Sequence, residues 1–89
     1  MNVPSEFRDF CRRFHQDALV LNPRMQDTIG AALKPFDDRQ RKVLENFLSG
    51  LIAGDFADGD LSALFGNSGA DFYLRSPRDF FGEVLKQLR

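Results

Sequence analysis

The sequence predicts an all-α protein: a single domain over residues 1–89, folded as a compact bundle of about five helices. Three observations lead there. Apolar residues recur at three- and four-residue spacing in successive stretches, the period of a helical face rather than of a strand. Pro, Asp, Asn and Ser stand where those stretches begin, and Gly or Pro where they end. The links between stretches are short, and no repeat, low-complexity run or domain linker interrupts them.

The first helix is expected from Pro4 to about Leu21. Pro4 suits a first helical turn, where its missing N–H is no loss. Phe7, Phe10, Cys11, Phe14, Ala18 and Leu21 then share one face, with Arg8, Arg12 and Arg13 mainly on others. Asn22 and Pro23 restart the chain as N-cap and first residue of a second helix, with Met25, Ile29, Ala32 and Leu33 as its stripe. Gly30 weakens that helix by about 1 kcal/mol relative to Ala, and Lys34-Pro35 ends it.

The third helix carries the strongest pattern and is expected to be central. Asp37 followed by Gln40 three residues later forms a capping-box pattern. Val43, Leu44, Phe47, Leu48, Leu51 and Ile52 make a wide apolar stripe, and Gly54 is the expected stop. Gly50 within the stripe suggests a close helix–helix approach. A short fourth helix follows, with Asp58 as N-cap and Leu61, Leu64 and Phe65 facing inward. The cluster Gly66-Asn67-Ser68-Gly69 breaks it. Residues 70–74 fit either a short extended stretch or a packed loop. Ser76-Pro77 opens the last helix, Asp79 completes a second capping box, and Phe80, Phe81, Val84, Leu85 and Leu88 are its buried face.

Composition narrows the function. A chain of 89 residues buries only about 60–65% of the surface it exposes unfolded, so one shared core must serve every helix. Ten Phe, one Tyr and no Trp supply apolar area with few polar handles, which places most rings inside. The net charge of −1 gives no footprint for nucleic acid. Charge is nevertheless uneven. Residues 1–42 hold eight basic and six acidic side chains, and residues 43–89 hold four and seven. From Asp55 to Asp71 there are four Asp (Asp55, Asp58, Asp60, Asp71) and no Lys or Arg, which favours a basic partner. No stretch is apolar enough to span a membrane, and charges interrupt the N-terminal stretch where a signal peptide would be apolar. Cys11, the one cysteine, cannot form an internal disulfide, in keeping with a reduced, cytoplasmic protein.

The sequence offers little reactive chemistry. His15 lies one helical turn after Cys11, so an imidazole-activated thiol is geometrically possible. The favoured reading makes Cys11 a small core hydrophobe and His15 a boundary residue bonded to water. Asp55, Asp58 and Asp60 invite a metal, but counting from Asp55 an EF-hand would meet Ala57 at its third position and Gly66 at its twelfth. Capping and the helix dipole account for Asp58 and Asp60 more simply. The glycines match neither a phosphate loop nor a dinucleotide fingerprint. A helix-turn-helix reading of the third and fourth helices fails because the second carries acids and no base. These features predict no cofactor, no metal and no catalysis.

Phe14-His15-Gln16-Asp17, near the end of the N-terminal helix, resembles a motif of small immunity proteins from bacterial contact-dependent growth inhibition systems. The stretch Ser76-Pro77-Arg78-Asp79-Phe80-Phe81 through Leu88 resembles their last helix, and the order of elements between also agrees. Ala18 departs from the aromatic residue that commonly follows the motif. The resemblance implies a cytoplasmic, non-enzymatic protein that binds and neutralises a cognate toxin domain, often a nuclease with a basic surface. Under it, Asp55, Asp58, Asp60 and Asp71 would steer the partner, and Gln16 or Asp17 would anchor a loop or touch the toxin. The alternative is a helical interaction or adaptor domain, monomeric or a homodimer, docking through Phe72, Tyr73, Phe80 or Phe81 if these stay exposed together.

Overall fold

The computed structural model describes residues 3–14, 24–71 and 74–89. Five α-helices lie among them: α1 Ser5–Cys11, α2 Met25–Leu33, α3 Asp38–Ala53, α4 Asp58–Asn67 and α5 Pro77–Leu88. The described residues contain no strand. The all-α bundle expected from the periodicity is therefore the fold.

Local chemistry explains where most helices begin and end. At α3 the Asp37 carboxylate accepts the Gln40 N–H at 2.8 Å while the Gln40 side-chain oxygen accepts the Asp37 N–H at 2.9 Å. This reciprocal box satisfies two N–H groups that the helix start leaves without partners. α4 ends in a Schellman motif. The Ala70 N–H reaches the Phe65 carbonyl at 3.3 Å and the Gly69 N–H the Gly66 carbonyl at 3.1 Å. Gly69 has φ +113°, a left-handed conformation that costs glycine nothing and a residue with a Cβ a good deal.

Two arginines close helix C-termini from a distance. Neither α2 nor α3 has a basic residue in its own last turn. Arg41, on α3, donates to the carbonyls of Phe36 and Leu33, both at 2.9 Å, closing the end of α2. Arg78, on α5, donates to the carbonyls of Ile52 at 2.6 Å and Phe56 at 2.7 Å, closing the end of α3. Each guanidinium brings positive charge and a fork of donors to the negative end of a helix dipole.

The core is one continuous cluster built around phenylalanine. Phe7, Phe10, Phe14, Phe36, Phe65, Phe80 and Phe81 are all buried, joined by Leu44, Leu48, Leu51, Leu61, Ile29 and Val84. The rings meet edge-on or tilted: Phe14 and Phe80 are 5.2 Å apart at 89°, and Phe65 and Phe80 are 5.3 Å apart at 61°. Such pairs contribute about 0.5–1.5 kcal/mol each beyond the area they bury. The one shared core thus accounts for the Phe-rich composition.

Several expectations need correction. The expected continuous helix from Pro4 to Leu21 is broken, because α1 stops at Cys11. The Arg13 and Phe14 N–H groups turn back to Phe10 and Cys11 three residues earlier, and the Phe14 carbonyl accepts the Asp71 N–H at 2.8 Å. The further course to Leu21 lies outside the described residues, and the expected Asn22 cap with Pro23 as first helical residue is not used: α2 begins at Met25 with Arg24 as its N-cap and no side-chain cap hydrogen bond. Among the described helices the expected central α3 shares the centre with α5: the two pack on each other, α3 also on α1, and α5 also on α4 and α2. Gly50 mediates no close approach; a side chain there would meet nothing within 4 Å. α4 is capped at Ala57, not Asp58, and Ser76 makes no side-chain cap hydrogen bond, so no box forms with Asp79. α5 starts instead with Pro77 in its first turn.

Candidate functional site

The acidic side chains that the sequence singles out fall into two places. Asp55 sits in the link between α3 and α4, while Asp58 and Asp60 stand in the first turn of α4; all three are exposed. Asp71 is exposed too, but it follows the far end of α4, a helix that rises about 15 Å over its ten residues. Its backbone is tied to Phe14. Three of the four carboxylates therefore form one corner, and the fourth lies apart. Among the described residues none of the four takes part in an ion pair; the pairs there are Arg12–Asp9 at 3.6 Å and Lys42–Glu45 at 3.8 Å.

The three corner acids differ in what already occupies them. The Asp60 carboxylate reaches back to accept the Ala57 N–H at 3.2 Å, so it caps α4 from inside the helix. Asp58, in the first helical turn, gains from the dipole and makes no side-chain hydrogen bond among the described residues. Asp55 lies before the helix, and neither capping nor the dipole explains it. A helix start carries about half a positive charge and the Arg78 guanidinium at the Phe56 carbonyl one more, which together do not neutralise three carboxylates. The corner is net negative.

Beside the corner runs an open groove of about 380 Å³, lined by Phe56, Asp60, Leu61, Ala63, Leu64 and Asn67. Asp60, Ala63, Leu64 and Asn67 follow one another at helical spacing along one stripe of α4. Leu61 and Phe65, on the neighbouring stripe, are buried in the core. Phe56 closes the other side and is only half-buried. Two features place its ring. Arg78 holds the Phe56 carbonyl, and Gly54 leaves room: a Cβ there would stand 2.6 Å from Phe56 Cε2.

Comparison with known protein families, with curated proteins and with solved structures finds no match for this chain.

Of the motif Phe14-His15-Gln16-Asp17, only Phe14 lies within the described residues. Phe14 is fully buried, with its ring 4.9 Å from Phe10 and 5.8 Å from Phe65, which makes it a core anchor. His15, Gln16 and Asp17 fall outside the described residues, so the Cys11–His15 contact does too. Cys11 itself is fully buried, and desolvation pushes its thiol well above the ordinary range. A thiol kept protonated is a poor nucleophile and packs as a small hydrophobe. Among the described residues no group of three or more His, Cys, Asp or Glu could hold a metal ion, and no helix is long and apolar enough to cross a membrane.

The aromatic patch raised as a docking surface is not assembled as expected. Phe80 and Phe81 are 6% and 0% exposed and belong to the core; Phe72 and Tyr73 lie outside the described residues. Sequence reasoning missed the residues that shape the groove, Phe56 and Ala63, and the arginine that positions it, Arg78. A lone aromatic residue between Gly54 and Asp58, inside an acidic run, was the available signal for Phe56.

Proposed function

We propose that this chain is a non-enzymatic immunity protein, which neutralises a toxin domain by binding a basic surface on it. The observation that carries this reading is the corner of Asp55, Asp58 and Asp60, exposed and free of ion pairs among the described residues. Like charges held together repel one another slightly, and a cationic partner relieves that repulsion as it docks. At a distance the same field raises the rate of encounter with a positively charged surface. The resemblance of Phe14-His15-Gln16-Asp17 and of the last helix to contact-dependent growth inhibition immunity proteins supports the same reading. So does Cys11, whose burial holds the one thiol away from nucleophilic work.

Binding alone then performs the function. No bond is made or broken, and the protein acts by covering its partner. The test is co-expression with a toxic domain encoded in the neighbouring reading frames, the first thing the proposal requires to exist. Growth should be restored, and the two proteins should co-elute as a stoichiometric complex that salt weakens. A domain that stays toxic, with no complex at low ionic strength, would contradict the proposal.

A further inference from the structure

The groove beside the acidic corner adds a specific docking mode, one that rests on the binding reading above. We infer that the groove between Phe56 and α4 seats an apolar side chain from a cationic segment of the partner protein, with a Lys or Arg of that segment set against Asp60.

The chemistry of the lining selects the occupant. Phe56, Leu61, Ala63 and Leu64 offer an apolar bed, and Asp60 is the one charged residue among the lining side chains. Asn67 closes the other end with a donor and an acceptor suited to a peptide backbone. One oxygen of Asp60 accepts the Ala57 N–H, which leaves the other for a cation. Asp58 and, in the link before the helix, Asp55 add negative charge, which the single Arg78 guanidinium on the Phe56 carbonyl offsets only in part. An anionic ligand is repelled by this rim. A second copy in a two-fold arrangement would bring the same acidic rim into the interface twice, and like charges so gathered cost affinity. A segment that pairs one apolar anchor with flanking cations meets both demands of the groove.

The groove is also built to keep its shape. Arg78 fixes the Phe56 carbonyl, Gly54 makes space for its ring, and Leu61 is rooted in the core. Little ordering is needed on binding, which preserves affinity.

The test uses a short amphipathic Leu/Lys peptide, added at low ionic strength to the isotopically labelled protein and followed by amide chemical shifts. Shifts should centre on Phe56, Ala63, Leu64 and Asn67. Ala63→Gln, which fills the exposed side of the groove without changing charge, should weaken binding about tenfold. Asp60→Asn, which keeps the acceptor for Ala57, should weaken it as well. Replacing Leu by Ser in the peptide, or Lys by Glu, should each cost about tenfold or more. Equal binding of the Leu and Ser peptides would overturn the inference while leaving the charge reading intact. Binding of the toxic domain that Ala63→Gln does not weaken would do the same. If neither peptide nor toxic domain binds, both readings fall. Shifts of the groove amides that grow with protein concentration, peptide absent, would assign the groove to a second copy and overturn the inference.

Discussion

The Arg78 guanidinium donates to the Phe56 carbonyl at 2.7 Å, across 22 residues of sequence. With its second bond, to Ile52, it closes α3 and fixes the link that carries both Phe56 and the acidic corner. The site is thus positioned by a side chain that does not line it.

Removing that arginine should loosen the corner. Arg78→Ala leaves two part-buried carbonyls without a charged donor and is expected to cost about 2 kcal/mol, with Arg78→Lys recovering part. Urea denaturation measures both variants. An unchanged midpoint for Arg78→Ala would show that solvent replaces the guanidinium freely.

The aromatic core should be far less tolerant than the groove. Phe81→Ala removes a fully buried ring and is expected to cost about 3–5 kcal/mol, enough to unfold much of a domain this small. Phe56→Ala, at a half-buried position, should cost clearly less while abolishing groove binding. Thermal unfolding of the pair tests this contrast, and equal losses would contradict it.

At the start of α4 the two acids should separate. Asp60→Ala loses the bond to the Ala57 N–H and should cost about 0.5–1 kcal/mol, whereas Asp60→Asn and Asp58→Asn should each cost only a few tenths. Asp58 is accordingly the cleaner position for reversing charge. A larger loss from Asp58→Asn than from Asp60→Ala in chemical denaturation would reverse the assignment.

Cys11 predicts a pH dependence with a definite sign. Burial raises its thiol above the ordinary value of 9.0, so in the unfolded chain the proton leaves first as pH rises. Above about pH 9 the unfolded state therefore binds fewer protons, and stability falls by up to about 1.4 kcal/mol per pH unit from this group. Below that pH its contribution is fully present. Cys11→Ala should flatten this slope in denaturation curves taken between neutral and alkaline pH. The native thiol should also react with a disulfide reagent only as fast as the protein opens; prompt labelling would contradict its burial.

Much of the fold was legible because much of it is local. Asp37 and Gln40 announce the start of α3 by their own chemistry, and the stripe through Leu44, Leu48 and Leu51 follows from spacing alone. What escaped depends on distant partners. The stop of α1 is invisible in Phe7, Phe10, Cys11 and Phe14, whose helical spacing continues past it; the Phe14 carbonyl pairs instead with Asp71. Asp58 looks like a cap by residue type, yet Asp60 reaches back and does that work. The acidic run was readable, but not that Asp71 lies apart from the other three. The groove could not be read, because it needs Phe56 held by Arg78 from another helix.

The central claim is that the acidic corner guides a basic partner onto this protein. Stopped-flow association with the toxic domain, across a range of ionic strength, tests it most directly with the Asp55→Asn/Asp58→Asn double variant. The on-rate should fall several-fold at low salt and converge on that of the unaltered protein as salt screens the field, with dissociation little changed. An on-rate at low salt equal to that of the unaltered protein would contradict the claim.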